Sequence, residues 1–312
     1  MNTVAGPKSS HHVLEGRVAV VAGASRGAGR GIALALGSAG YTVYAVGRTR
    51  RGGPGPRDGA PGTVEDTAEE VTTRGGTGVA VVADCTDPEQ AASVFERVRR
   101  EQGRLDVLAN AVWGGYDNLV TPDDLEAAWS RPFWEQPVAG QWATMMTAGP
   151  CAYYLMSAYA IPLMLERRGG LIVGLTDGIA DDGKGGSADE IVSAGGYQGQ
   201  LLWELSHHCI NRLMAWMSVE TRKKKIAVVT LMPGFMQTER VLRHMTSDKV
   251  KKTFRFDLSE STEYVGRAVA ALAADPKVMR HSGQIHFVAD LAQEYGFTDV
   301  DGRSVPRFKP FG

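Results

Sequence analysis

Short apolar runs rich in β-branched residues alternate with stretches of helical spacing along almost the whole chain, and a glycine-rich turn joins the first run to the first helix. The runs are Arg17 to Ala22, Tyr41 to Val46, Gly78 to Ala83, Leu105 to Ala109, Leu171 to Leu175, Ile226 to Leu231 and a last one near Gln284 to Val288. Between them the spacing predicts helices over Gly29 to Gly40, Val64 to Thr73, Pro88 to Gln102, about Trp142 to Arg167, about Gln200 to Thr221 and Tyr264 to Ala274. Strands that alternate with helices imply a parallel, doubly wound sheet flanked by helices, an α/β architecture. No linker or repeat interrupts the pattern, so residues 16–312 are expected to form one domain behind a loose polar arm, residues 1–15.

Composition narrows the function classes. With 312 residues, 43% hydrophobic and 22% charged, the chain is of ordinary globular type, and its length suits one large α/β domain as well as two. A formal net charge of -1, from 34 basic and 35 acidic residues, gives no global field to recruit nucleic acid or an anionic membrane. No stretch reaches the roughly 18 apolar residues of a membrane span, and the first sixteen residues lack the apolar core of a signal peptide. Cys85, Cys151 and Cys209 lie far apart, without metal-ligand spacing, which fits reduced thiols in the cytoplasm and no metal site.

The turn reads Val-Ala-Gly23-Ala-Ser25-Arg26-Gly27-Ala-Gly29. Glycines there let the backbone turn sharply and approach a pyrophosphate, whose charge is met by the helix N-terminus. Placed after the first strand, it predicts a dinucleotide-binding Rossmann fold. An acid ending the second strand would hold the ribose diol of NAD, but Gly47-Arg48-Thr49-Arg50-Arg51 has none. A guanidinium pairs with a 2′-phosphate through charged hydrogen bonds, so NADP is favoured, with Arg48 as its partner and Arg26 as a second candidate.

Three further motifs follow in order: Ala83-Asp84-Cys85 after strand three, Leu-Ala-Asn110-Ala-Val-Trp after strand four, and Pro233-Gly234-Phe-Met-Gln-Thr238 after strand six. With the glycine turn, they make the chain resemble the short-chain dehydrogenase/reductase family over roughly Gly16 to Asp290. The resemblance implies that Asp84 and Cys85 seat adenine, that Asn110 stands at the family's Asn-Ala-Gly position, and that Thr238 contacts the nicotinamide amide beside the Pro233-Gly234 turn. It also implies a small-molecule substrate, a lid around residues 235–262 and a homodimer or homotetramer. The segments Gly-Leu-Thr176-Asp177-Gly, Tyr264-Val265-Gly266-Arg267-Ala268 and Glu294-Tyr295-Gly296-Phe297-Thr298-Asp299-Val300-Asp301-Gly302 look like a bacterial subgroup similar to the animal member-one type of dehydrogenase/reductase.

The resemblance breaks where the family carries out its proton transfer. The family uses a Tyr-x-x-x-Lys pair on the helix before strand six. Counting back about 30 residues from Pro233 lands on Trp203 and His207. A rival frame at Tyr197 meets Leu201 four residues on, which has no amine. Asp177 or Thr176 falls at the family's serine position, and Gly149 near its helix asparagine. An indole cannot act as an acid near neutral pH, which leaves the donor open among His207, one helical turn from Trp203, Asp177, whose pKa a partly apolar cleft would raise, the tyrosines Tyr197, Tyr153 and Tyr154, and a water. The favoured reading is an NADP(H)-dependent oxidoreductase acting on a carbonyl or hydroxyl of a small, natural-product-like compound. The alternatives are non-redox chemistry on the same scaffold (cyclisation, dehydration or isomerisation) and a catalytically silent binding subunit.

Overall fold

Every residue of the first strand, β1 (Val18–Ala22), is buried, and so is every residue of β4 (Val107–Asn110). A strand covered on both faces needs apolar residues at consecutive positions, which is why these segments run unbroken instead of alternating. Residues 16–56, 59–117, 131–177, 200–244, 248–253 and 255–308 are described by the computed structural model of the chain. The arm, residues 1–15, and Tyr197 lie outside them.

With β2 (Thr42–Gly47), β3 (Thr77–Val82), β5 (Gly170–Leu175), β6 (Ile226–Met232) and β7 (Ile285–Phe287), the strands form one seven-stranded sheet in the order β3-β2-β1-β4-β5-β6-β7. Every pairing is parallel. The order reverses between β1 and β4, and a sheet of this kind opens a crevice at that point, beyond the carboxyl ends of its strands.

Helices cover both faces. On one side α1 (Gly27–Ser38) packs Ile32 and Leu36 with Tyr264, Val269 and Leu272 of a later helix, α6 (Thr262–Ala274). On the other, α3 (Pro88–Gln102) contributes Phe95 and Val98, α4 (Ala152–Arg167) Met156 and Leu163, and α5 (Leu201–Thr221) Ile210 and Met214. Capping signals set the ends of the surface helices. Thr63 accepts from the Asp66 N–H at the start of α2 (Val64–Thr73). Asp87 accepts from Glu89 and Gln90, with Pro88 next, at the start of α3.

The long helix expected from Trp142 to Arg167 is two pieces. Trp142–Cys151 winds in wide, π-type turns and kinks at Ala148 and Gly149 before α4 begins. Pro150 explains the break, because it has no N–H for the ladder and its ring crowds the carbonyl four residues back. Elements not anticipated include short helices at Val138–Gln141, Glu239–His244 and Asp248–Thr253, and α7 (Val288–Tyr295) after β7.

Candidate functional site

A cleft of about 860 Å³ lies beyond the carboxyl ends of the central strands. One end is walled by the turn after β1 and by residues following β2 and β3, and the other by residues following β4, β5 and β6 together with the first turns of α5. Of the residues singled out from sequence, Gly23, Ser25, Arg26, Gly27, Arg48, Asp84, Cys85, Asp177, Trp203, His207, Pro233, Gly234 and Thr238 line it.

At the glycine turn, Gly27 adopts φ 58°, a left-handed conformation, as it leads into α1. Gly29 packs so closely that a Cβ there would stand 2.2 Å from the Gly23 carbonyl oxygen, so it serves packing and is absent from the cleft wall. The half-buried Gly27 N–H donates to the Glu239 carboxylate at 2.8 Å. Arg26 braces the loop after β2, donating to the carbonyls of Pro61 and Gly62 at 3.1 and 2.9 Å.

Arg48 is the more accessible of the two candidate arginines, with its side chain 59% exposed and Nη2 3.2 Å from Asp117 Oδ2. Arg51 is held by Asp66 and Glu69 of α2. Asp84 accepts from both the N–H and the hydroxyl of Thr86. Burial and, secondarily, the Asp84 charge push the Cys85 thiol up to about 12, so it stays protonated. Asn110 is buried behind the wall and donates to Ser157 of α4 at 3.1 Å.

The opposite end is aromatic. Trp113 meets Trp203 edge-on at 5.1 Å between centroids and His207 at 4.5 Å, and Tyr116 meets Trp203 at 5.1 Å. Gly149 makes room for this group, since a Cβ there would come 3.2 Å from the Trp113 ring. The spacing of four places Trp203 and His207 on one face of α5, as the sequence indicated. Trp134 and Trp142 are exposed and lie outside this group.

Asp177 follows β5 and stands exposed at the cleft wall. Desolvation by the surrounding protein pushes its carboxyl up to about 7; the nearby Glu204 adds to the rise, and a hydrogen bond from the Trp203 indole opposes it. His207 is buried, and desolvation pushes it down to about 4, so it is neutral near pH 7. Its Nδ1 lies 3.0 Å from the Trp203 carbonyl oxygen. A carbonyl only accepts, so Nδ1 carries the proton and Nε2 is left as an acceptor. Tyr153 of α4 braces the end of β5 by donating to the Leu175 carbonyl at 3.2 Å, and burial raises its pKa, making it a poor acid.

The lid segment meets the cleft through Phe235, Met236, Thr238, Glu239 and Arg240, while Lys251, Lys252 and Arg255 are exposed to solvent. Arg240 stacks over Tyr116 at 5.4 Å and stands 3.8 Å from Asp117. Glu260 is buried beneath Gly234, whose N–H it accepts; burial pushes its carboxyl up to about 8, with Asp299 adding to the rise. Sequence reasoning missed Tyr116, Asp117, Glu239 and Arg240 as wall residues. The last two directly follow Thr238, and that adjacency was the available signal. Among the described residues no group of three or more His, Cys, Asp or Glu could hold a metal ion. No helix among them is long and apolar enough to cross a membrane.

The sequence matches the family model described as short chain dehydrogenase over residues 17–249. It is 35% identical over 303 residues to dehydrogenase/reductase SDR family member 1 of Homo sapiens, covering 94% of this chain and 86% of that protein. The fold is similar to that of a short chain dehydrogenase from Mycobacterium thermoresistibile, with a TM-score of 0.74 at 21% identity, over 96% of this chain and 95% of the other. It is also similar to a 7 alpha-hydroxysteroid dehydrogenase complexed with NADH and 7-oxo glycochenodeoxycholic acid, with a TM-score of 0.66 at 20% identity, over 90% and 96%.

Proposed function

The chain belongs to the short-chain dehydrogenase/reductase family, and on that premise we propose that it is an NADP(H)-dependent oxidoreductase that interconverts a carbonyl and a hydroxyl on a small, natural-product-like substrate. Asp177 is its proton donor and acceptor, and Trp203 and His207 stand where the family has tyrosine and lysine. The observation that carries this reading is geometric: a carboxyl in the cleft wall, hydrogen-bonded by the indole of Trp203, which desolvation pushes up to about 7. Such a group is half protonated at neutral pH, so it can give a proton to a carbonyl oxygen in one direction and take one from a hydroxyl in the other. Trp203 positions it. His207, neutral and with Nε2 as acceptor, suits a hydroxyl of the nicotinamide ribose and supplies no cation.

The cleft residues fit the cofactor. The Glu239 carboxylate held by the Gly27 N–H supports an anion site at the start of α1, as a pyrophosphate would require. Gly23, Ser25, Arg26 and Gly27 would hold the pyrophosphate, Arg48 the 2′-phosphate, Asp84 and Cys85 the adenine, and Pro233, Gly234 and Thr238 the nicotinamide amide. Asn110 supports that floor through Ser157. When bound, NADP(H) supplies or accepts the hydride. The family also leads us to expect a homodimer or homotetramer, while the separated thiols favour the cytoplasm and the balanced charge favours neither nucleic acid nor membrane as partner.

Replacing Asp177 by Asn removes the titrating proton and keeps the size. Ketone reduction by Asp177→Asn should fall roughly 100- to 10,000-fold with NADPH affinity retained; unchanged turnover would refute the assignment. A second reading, non-redox chemistry in the same cleft, draws on the absence of a cation at position 207. Product formation without any change in NADPH absorbance would favour it.

A further inference from the structure

The Gly27 N–H at the start of α1 is a donor that a dinucleotide phosphate would use, and a side chain 212 positions away already takes it. Neither the preceding Arg26 side chain nor an acid in the first turn of α1 caps this helix. Glu239 reaches it because of how its own short helix is started and tethered. Thr238 Oγ1 accepts from the Val241 N–H, and the Thr238 carbonyl accepts from Leu242, so the helix begins at Glu239. Upstream, the Gln237 N–H donates to the Glu260 carbonyl at 2.7 Å and the Glu260 N–H to the Phe235 carbonyl at 2.9 Å, which pins the backbone. The Glu239 side chain can therefore swing while its backbone stays.

A parallel arrangement holds the other anion contact. Arg48, the candidate for the 2′-phosphate, is paired with Asp117, whose second oxygen lies 3.8 Å from Arg240, the neighbour of Glu239. Two carboxylates thus stand on the two groups that would meet the two phosphate sites.

We propose that Glu239 and Asp117 are internal anions that a dinucleotide displaces, Glu239 giving way to the pyrophosphate and Asp117 releasing Arg48 to the 2′-phosphate. The inference rests on the dinucleotide reading of the cleft and adds a contact that opposes binding. Charged hydrogen bonds to a helix start are stronger than neutral ones, so each displacement lowers the apparent affinity.

Calorimetric titration of the full chain with NADPH and NADH, for wild type and single variants of matched melting temperature, tests it. Glu239→Gln should tighten both nucleotides roughly three- to thirtyfold. Asp117→Asn should tighten NADPH alone, by about two- to fivefold, the range of an exposed ion pair. Glu239→Asp separates displacement from simple repulsion, because its shorter side chain keeps the charge and cannot span to Gly27. Displacement predicts that Glu239→Asp tightens binding as Glu239→Gln does; wild-type affinity in Glu239→Asp overturns the proposal. Wild type that binds nucleotide, with Glu239 variants that do not tighten it, overturns this inference alone. Wild type that binds neither nucleotide overturns the cofactor reading and the inference with it.

Discussion

At the scale of single residues, the chemistry turns on Asp177 and the affinity on Arg48. Desolvation and the Glu204 charge, opposed by the Trp203 hydrogen bond, push the Asp177 carboxyl up to about 7. Reduction needs the protonated form and oxidation the ionised one. The rate of carbonyl reduction should therefore fall as pH rises through about 7, alcohol oxidation should rise over the same range, and both inflections should vanish in Asp177→Asn. His207, held near 4 by burial, contributes no inflection between pH 6 and 8. Arg48 projects at the cleft rim with no carboxylate at the end of β2 to compete for a ribose diol. Arg48→Ala should weaken NADPH by about 1.5 to 3 kcal/mol, the range of a charged hydrogen bond, and leave NADH nearly unchanged in the same titration. Of this chemistry, the cleft positions of Trp203 and His207 were legible in the sequence because a counted helix and strand fix their register, and that of Asp177 because it follows the fifth apolar run. The Glu239 contact was not, since it joins residues that only the folded sheet brings together.

Elements give those residues their places. The turn after β6 rests on Glu260, whose buried carboxyl sits near 8 against an ordinary carboxylate value of 4.5. Below about pH 4.5 the group is protonated in both folded and unfolded chains. Between 4.5 and 8 the unfolded chain ionises first, so folding takes up a proton and stability falls as pH rises. Above about 8 both are charged and the loss is complete. Thermal melts from pH 5 to 8.5 should show this decline in wild type and a flatter profile, higher by a few degrees at pH 8, in Glu260→Gln; equal pH slopes would contradict it. On α5, the register that puts Trp203 and His207 in the cleft leads to a further expectation. The double variant Trp203→Tyr with His207→Lys should raise generic ketone reduction, because it restores a phenol and a cation to a scaffold that lacks them. A drop below wild type would mean that losing the indole that positions Asp177 outweighs the phenol and cation gained. Capped helices such as α2 and α3 were readable because their caps are local, whereas the kink at Ala148 and Gly149 follows from Pro150 and from the Trp113 ring packed beside it, a contact with no trace in spacing.

For the whole molecule, the alternation of strands and helices was enough to specify a parallel sheet, and the seven strands fall where the apolar runs lie. What the pattern left out was α7 and the short helices between β6 and α6; the turn that leads into Glu239–His244 is tied by the Glu260 bridge to residues 235–237, a contact that only the fold makes. The sheet order opens one cleft whose glycine turn receives an anion and whose far end pairs a titrating carboxyl with an aromatic wall. A hydride-transfer enzyme needs both ends in register across that distance, and a binding subunit needs only the first. The most direct test is to incubate the protein with NADPH deuterated at nicotinamide C4, as each epimer in turn, and a panel of ketones, and to analyse the alcohols by mass spectrometry. The account predicts deuterium on the carbinol carbon from one epimer only, with the label strongly diminished in Asp177→Asn. NADPH that binds while no ketone in the panel gains deuterium, or label that appears undiminished without Asp177, would contradict it.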